Sequence, residues 1–289
     1  MDADTHESDP ERFRPRLFAV AYRMLGDVHD AEDVVQESFL RWHRAPRGDV
    51  VRPEAWLVSV ATRLSIDRLR RAATEREAYP GPWLPEPVSA ERFASPDRGA
   101  ELASDLSMAF LVLLERLAPE ERAAFLLREV FDSSYADIAR TLEKSEAATR
   151  QIVHRARRRV RTDRGRFDVP HQATERLLHR FMTALEADDE EALLAVFTPD
   201  ATFTSDGGGK VAAARRVIHG VERIARLLRG IEAKYGRPFT YRVGRLNGEP
   251  ALVQYLGPRV FSANFIESDG DRITAMYRVM NPDKLGEVR

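Results

Sequence analysis

Apolar residues recur at helical spacing through most of the first 160 positions, then give way to strand-like alternation towards the C-terminus. Phe13, Leu17, Val20, Ala21 and Met24 predict a helix over 11–25, stopped by Gly26. Asp30 is placed as the cap of the next helix, DAEDVVQESFLRWHR. On it Ala31, Val34, Val35, Ser38 and Trp42 share one face, and Asp33, Gln36, Glu37, Leu40 and Arg41 the opposite one. Pro53 opens a long helix whose apolar side runs through Leu57, Val60, Ala61 and Leu64, while Arg63, Asp67, Arg70 and Arg71 share another side. A further amphipathic helix is predicted over 102–117.

Three short helical patterns follow between Pro119 and Arg161. The first carries Ala123, Leu126 or Leu127, and Val130; the second Tyr135, Ile138, Ala139 and Leu142. Ser145 caps the third, whose buried side is predicted as Ala148, Ile152, Ala156 and Val160. Two short helices with a tight turn between them predict a helix-turn-helix. Beyond 166 the pattern changes. Helices are predicted over 174–187 and 190–197, the latter ended by Pro199-Asp200, then a strand over 201–205, a turn at 206–210 and a helix over 211–230. Four strand patterns lie between Phe239 and Val279, separated by Asn247-Gly248, Gly257-Pro258 and Asp269-Gly270. Helices followed by an antiparallel meander predict an α+β domain whose sheet curls around the helices.

Between these parts, 79–99 holds five prolines and two glycines and reads as an extended linker, yet Trp83 and Leu84 sit inside it. Large apolar groups in a linker dock on something.

Charge adds a function class. The 289 residues carry a net charge of −1, so any nucleic-acid contact must come from local patches. One such patch is plain: Arg150, Arg155, Arg157, Arg158, Arg159, Arg161, Arg164 and Arg166 face a single acid, Asp163, within the same stretch. Left unpaired, these arginines would neutralise phosphates; the bland alternative is a solvated helix end. For Arg63, Asp67, Arg70 and Arg71 the bland alternative is a salt-bridge ladder. With no cysteine, disulfides, thiolate metal sites and cysteine nucleophiles are excluded. No cofactor is expected, and no histidine spacing suits a metal. The acidic polar start and the lack of a long apolar run argue against a signal peptide or membrane span and for a cytoplasmic protein.

In order and spacing these elements resemble the extracytoplasmic function (ECF) class of bacterial sigma factors over about 11–165. DAEDVVQESFLRWHR resembles the region 2.2 helix, and PEAWLVSVATRLSIDRLRR resembles regions 2.3–2.4. PEERAAFLLREVFDSSYADIARTLEKSEAATRQIVHRARRRVR resembles region 4. Three strings narrow the match to the ECF41 subgroup: Trp83-Leu84-Pro85-Glu86-Pro87, Asp206-Gly207-Gly208-Gly209-Lys210 and Asn281-Pro282-Asp283-Lys284-Leu285. The resemblance implies a multidomain fold: two all-α sigma domains followed by an α+β SnoaL-like (NTF2-like) curved-sheet domain. Its expected boundaries are a disordered start at 1–10, region 2 at 11–78, a proline-rich linker at 79–101, region 4 at 102–166 and the SnoaL-like domain at 171–285.

Function follows as expectation. Asp33, Gln36, Glu37, Leu40 and Arg41 would dock on the β′ clamp helices of core RNA polymerase, with the β flap a second contact. Arg63, Asp67, Arg70 and Arg71 would engage the −10 element, beside a base pocket in the loop 44–53. At the −35 element, Ser145 to His154 would enter the major groove. There Glu146, Arg150, Gln151 and His154 are candidates to read bases, and Lys144, Arg155, Arg158 and Arg159 to hold phosphates. The resemblance suggests promoter motifs like TGTCACA and CGTC. The C-terminal domain is expected to regulate in cis, in place of a separate anti-sigma protein. Linker motif, glycine turn and tail would meet as a clasp. The glycine run lacks phosphate-loop spacing, so a turn or close backbone approach is its expected use.

Two other classes compete. One is a ligand-responsive helix-turn-helix regulator, which leaves the helices at 30–72 unexplained. The other is a SnoaL-like isomerase or cyclase tethered to DNA-binding domains, for which His179, Asp200, His219 and Tyr255 are the acid-base candidates without any spacing that singles them out. A small ligand of the C-terminal domain stays open.

Overall fold

The computed structural model describes residues 10–46, 50–89, 92, 106–161, 169–236 and 239–288. Most of the start expected to be disordered, the centre of the loop 44–53, much of 90–105, and Arg164 and Arg166 lie outside them. The described chain forms two compact units. One gathers 10–75 and 113–161; the other gathers 76–92, 106–112 and 169–288.

The first unit is helical. A 3-10 turn, Pro10–Phe13, leads into α1 (Arg14–Leu25), ended by Gly26 at φ 67°. Helix α2 (Val28–Arg44) starts earlier than expected: Asp27 is the cap, its side chain accepting from Asp30 N–H at 2.9 Å. Asp27 holds extended backbone and so can cap, whereas Asp30 already lies within the first turn. Helix α3 (Pro53–Glu77) buries Leu57, Val58, Ala61, Thr62, Ser65, Ile66 and Leu69. Val60 and Leu64 are only partly buried, so the buried stripe is rotated from the expected one. Thr62 and Ser65 fit it because their hydroxyls donate to the Val58 and Ala61 carbonyls one turn back.

Helix α4 (Met108–Leu114), of which Met108–Val112 belong to the second unit, is shorter than the predicted 102–117, of which 102–105 lie outside the described residues. Then come α5 (Pro119–Glu129), α6 (Tyr135–Leu142) and α7 (Glu146–Arg161). Ser134 caps α6, Glu143 ends it in the left-handed region, and the Ser145 hydroxyl accepts from Ala148 N–H at 3.2 Å. Ile152, Ala156 and Val160 are buried as expected; Ala148 is only half-buried, and Thr149 and Val153 complete the stripe. Helix α7 packs on α5 and α6, and α1 packs on α2 and α5. Arg122, 2% exposed, ties α5 to α1 by donating to the Met24 carbonyl at 2.6 Å.

In the second unit, α8 (His171–Ala187), α9 (Glu190–Val196) and α10 (Val221–Tyr235) pack with a six-stranded sheet. Its strands are β1 (Phe197–Asp206), β2 (Ile218–His219), β3 (Phe239–Leu246), β4 (Glu249–Leu256), β5 (Arg259–Ser268) and β6 (Ile273–Val279), in the order β2-β1-β6-β5-β4-β3. The meander β3 to β6 is antiparallel as expected, while β1 adds in parallel to β6. Pro199 and Asp200 belong to β1, where the register with β6 shifts, rather than ending a helix. The helix expected over 211–230 begins at Val221; 211–217 has no regular structure and β2 follows it. Gly220, at φ 91°, makes the break. Each sheet face is covered. Leu177, Leu178, Phe181, Phe203, Ile224, Leu228, Leu252 and Met276 form one cluster; Leu84, Met108, Ala251, Val253, Phe265, Val279 and Leu285 form the other.

Candidate nucleic-acid interface and motif junction

On α7, Glu146, Arg150, Gln151, His154, Arg155, Arg158 and Arg159 are all exposed, with Lys144 and Ser145 just ahead of it. The expectation that the arginines stand unpaired is corrected. Arg150 pairs with Glu146 at 3.1 Å and lies 4.3 Å from the centre of the Tyr135 ring. Arg155 and Arg159 share Glu121, and Arg157 pairs with Glu129 at 2.6 Å. The compensating acids come mainly from α5, which sequence distance hides. These pairs still leave Arg150, Arg155 and Arg159 with 58%, 56% and 55% of their side-chain surface exposed. The Arg150–Glu146 pair is exposed on both sides and contributes about 0–1 kcal/mol, so a phosphate can replace that carboxylate at little cost. Glu121 is buried, so Arg155 and Arg159 offer DNA their outward N–H groups while keeping it as partner.

The basic side of α3 is also engaged. Arg63 donates to the Thr141 and Arg140 carbonyls at 2.9 and 3.1 Å, and its guanidinium lies 3.6 Å from Glu143. Arg70 and Lys144 meet on the two oxygens of Glu120, at 2.8 and 3.1 Å. Asp67 pairs with Arg70 at 3.5 Å, three residues on, rather than with Arg63 or Arg71. Arg71 is exposed. At the edge of the loop 44–53, Arg52 pairs with Asp137 and, with Ser134, holds that carboxyl below the usual range. The candidate −10 and −35 groups therefore face one another through shared acids and helix-end carbonyls.

On the outer side of α2, Leu40 keeps 49% of its surface exposed beside exposed Gln36 and Arg41. Glu37 pairs with Arg41 at 2.9 Å, and Asp33 with Arg68 at 2.7 Å. The result is an apolar residue ringed by charge, in a groove shared with Leu64 and Arg71 of α3.

The three short motifs converge on one carboxylate. Asp206, 0% exposed at the end of β1, accepts from Tyr79 O–H at 2.6 Å, Leu84 N–H at 2.9 Å, Gly208 N–H at 3.0 Å and the Lys284 ammonium at 2.7 Å. Lys284, 5% exposed, also donates to the Leu84 carbonyl at 2.6 Å and lies 4.0 Å from the centre of the Trp83 ring. Arg76 covers the same ring at 3.7 Å. Burial and the adjacent Asp206 charge push the Tyr79 phenol far up, so it stays a donor. The Asp206 carbonyl in turn accepts from Met280 and Asn281 N–H. Lys210 pairs with Asp283, and the Asn281 side chain caps the 3-10 turn Pro282–Lys284.

The glycines have a visible purpose. A Cβ on Gly208, at φ 60°, would stand 2.4 Å from the Asn281 side chain, and one on Gly209 would stand 2.6 Å from Pro80. Within the linker motif, Leu84, Pro85, Glu86 and Pro87 are buried, as is Val88. Leu84 and Leu285 join the sheet-face cluster. Asn247 is a site residue that sequence reasoning missed. Read only as a turn, it is 1% exposed and accepts from Val88 N–H while donating to the Leu106 carbonyl, at 2.9 and 3.1 Å.

The acid-base candidates do not converge: His179, Asp200 and His219 are exposed on three elements, and Tyr255 lies against Arg242. A polar network that the sequence reading missed lies inside the domain instead. Tyr241 and Gln254 donate to Glu232, Ser262 to Gln254, and Arg278 to Asn264 at 2.6 Å. Burial lowers the Arg278 guanidinium to about 10. Among the described residues no group of histidine, aspartate and glutamate suits a metal ion, and no helix is long and apolar enough to cross a membrane.

Comparison with known proteins agrees with this arrangement. The Sigma-70 region 2 family matches residues 11–75, and the Sigma-70, region 4 family matches 107–160. The ECF RNA polymerase sigma factor SigJ of Mycobacterium tuberculosis is 38% identical over 96% of this chain and 92% of its own length. SigI from the same organism is 31% identical over 96% and 93%. The crystal structure of SigJ superimposes with a TM-score of 0.77 at 35% identity, covering 96% of this chain and 97% of that one. The ECF41 motifs and the curved-sheet C-terminal domain are consistent with a SigJ-like chain. Similarity of this depth along nearly the whole length leaves one assignment: the chain belongs to the family of ECF RNA polymerase sigma factors.

Proposed function

We propose that this sigma factor binds core RNA polymerase, directs it to promoters through −35 and −10 contacts, and is controlled in cis by its C-terminal domain. The helical domains bind and position; they catalyse nothing. Helix α2 offers Leu40 with Gln36, Glu37 and Arg41 to the β′ clamp helices, Asp33 lending charge at the rim, and region 4 meets the β flap. Gln151 and His154, with Glu146 and Arg150, read bases from α7, while Lys144, Arg155, Arg158 and Arg159 hold phosphates. Arg63, Arg70 and Arg71, with Asp67, serve the −10 side.

The observation that carries the regulatory reading is the Asp206 carboxylate, on which the linker, the glycine turn and the tail all close. A buried ion pair with this many donors is strong only when complete. It therefore holds the linker Tyr79–Val88 in one course against the C-terminal domain. A second observation favours a closed free state: Arg63, Arg70 and Lys144 are engaged by Glu143, Glu120 and the end of α6, contacts that compete with DNA for the same groups. Core polymerase, by drawing regions 2 and 4 apart, would release these groups. Regulation carried in the chain makes a separate anti-sigma protein unnecessary for this step.

The test is transcription with bacterial core polymerase on a promoter bearing TGTCACA and CGTC motifs. The full chain is compared with forms ending at Arg166 and just before Asn281. Core-dependent initiation that changes with either truncation supports the proposal. DNA binding without core and no initiation from any form would favour the ligand-responsive regulator instead.

A further inference from the structure

A cleft of about 430 Å³ opens between α10 and the β1-β6 side of the sheet, lined by Phe203, Leu227, Ile231, Phe261 and Met280. Its size and its apolar, aromatic lining are those of a small-molecule site. Two cations stand at its mouth: Arg226 and Lys234, both exposed and one on each side of Gly230 along α10. Neither forms an ion pair with a carboxylate among the described residues. Beside them the Tyr235 ring packs edge-on against Phe239 and Phe261, which are tilted against each other, with centres 4.8 to 5.5 Å apart.

Gly230 is the telling residue. It sits in the interior of a helix, where glycine costs about 1 kcal/mol against alanine, and no positive φ requires it. A Cβ there would meet nothing within 4 Å, so packing does not require it either. What the missing side chain does is leave the mouth of the cleft open between two positive charges.

The far wall is continuous with the junction already described. Ser205 precedes Asp206, Met280 precedes Asn281, and Ala212, Ala213 and Ala214 follow the glycine turn. The Ser205 hydroxyl accepts from Ala214 N–H at 3.0 Å, and a Cβ on Gly81 would stand 3.4 Å from the Arg215 backbone. Three separate stretches of cleft wall therefore run directly into the glycine turn and tail that close on Asp206.

We propose that this cleft binds a small amphipathic acid, its apolar or aromatic body inside and its carboxylate between Arg226 and Lys234, and that occupancy is transmitted to the Asp206 junction. The second half rests on the in-cis reading above; the first does not. An acid is favoured over a neutral or cationic ligand because the interior supplies only contact area and the rim supplies only positive charge.

The experiment titrates the full chain with 1-anilinonaphthalene-8-sulfonate, followed by fluorescence, then displaces it with decanoate, 1-decanol and decylamine. Decanoate should compete on the order of tenfold better than 1-decanol, as two exposed charge contacts imply, and decylamine worst. Arg226→Ala/Lys234→Ala should make decanoate and 1-decanol equal. Gly230→Leu should abolish probe binding, while Gly230→Ala, adding one methyl to open space, keeps it. Equal competition by all three head groups, or binding indifferent to Gly230→Leu, overturns the site. If Gly230→Leu does not fold, the Arg226/Lys234 variant decides. Transmission is read separately, as core-dependent transcription with and without saturating decanoate. Binding with unchanged output overturns the coupling; in-cis control itself is judged by whether Asp206→Ala alters output.

Discussion

Asp206→Ala is the substitution whose consequences can be worked through furthest. It removes one carboxylate and leaves four donors facing a void: Tyr79 O–H, Leu84 N–H, Gly208 N–H and the Lys284 ammonium. The ammonium dominates, because at 5% exposure it cannot turn to water without breaking the tail's packing. Leaving a buried charge without its partner costs about 3–5 kcal/mol. Lys284 keeps the Leu84 carbonyl and the Trp83 and Tyr79 ring faces, and such ring contacts recover about 0.5–2 kcal/mol. The net expectation is a loss of about 3 kcal/mol, a large part of the roughly 5–15 kcal/mol that holds a domain folded. Replacing both partners, Asp206→Ala/Lys284→Met, should cost less than the single change, because no charge is stranded. Denaturant unfolding of the wild type, both single variants and the double variant gives the cycle, and hydrogen exchange at the Leu84 amide reports the linker directly. A single-variant loss below about 1 kcal/mol, with Leu84 still protected, would refute the role given to the carboxylate. So would a double variant less stable than Asp206→Ala.

Other consequences follow from different parts of the molecule. Glu249 accepts from Met108 N–H, and burial, with the nearby Glu267 charge, pushes its carboxyl from 4.5 up to about 8. The folded state therefore binds more protons than the unfolded one between those values, so its contribution to stability falls as pH rises through the window. Glu249→Gln keeps an acceptor for Met108, so its melting temperature should gain on the wild type from pH 5 to 8; parallel curves would contradict this. Glu120→Ala/Glu143→Ala should change stability by less than about 1 kcal/mol, since the pairs are surface-exposed. The same variant should bind promoter DNA more tightly without core polymerase, and an unchanged gel-shift affinity would argue against the closed free state. Leu40→Asp should leave unfolding unaltered, because Leu40 is half exposed, and weaken core binding on the order of tenfold or more. Unchanged affinity by pull-down or anisotropy would remove α2 as the docking helix.

The sequence alone determined the helical first half, the four-strand meander and the three motifs, because each is local. Helical periodicity, glycine and asparagine at the turns, and contiguous five-residue strings need no partner to be read. It also placed the exposed faces of α2 and α7, since one side of each helix is unmistakably polar. It misread the elements whose boundaries depend on neighbours. The stretch 211–217 has helical composition yet lines a cleft and stays irregular, and Pro199-Asp200 falls inside β1 at the irregularity between the paired positions Phe197 and Thr202.

Tertiary structure alone decided which charges are spent. The arginines of α7 seemed free because their acids, Glu121 and Glu129, lie some 30 positions earlier in the chain, and Arg63 found Glu143 in the same way. It also decided that Asn247, a turn residue by every local sign, holds the linker, and that Gln254, Asn264 and Arg278 point inward where alternation suggests only strand faces. The physical reason is common to all of these. Backbone propensity and periodicity act over a few residues, whereas ion pairs and buried hydrogen bonds are fixed by which distant segments fold together.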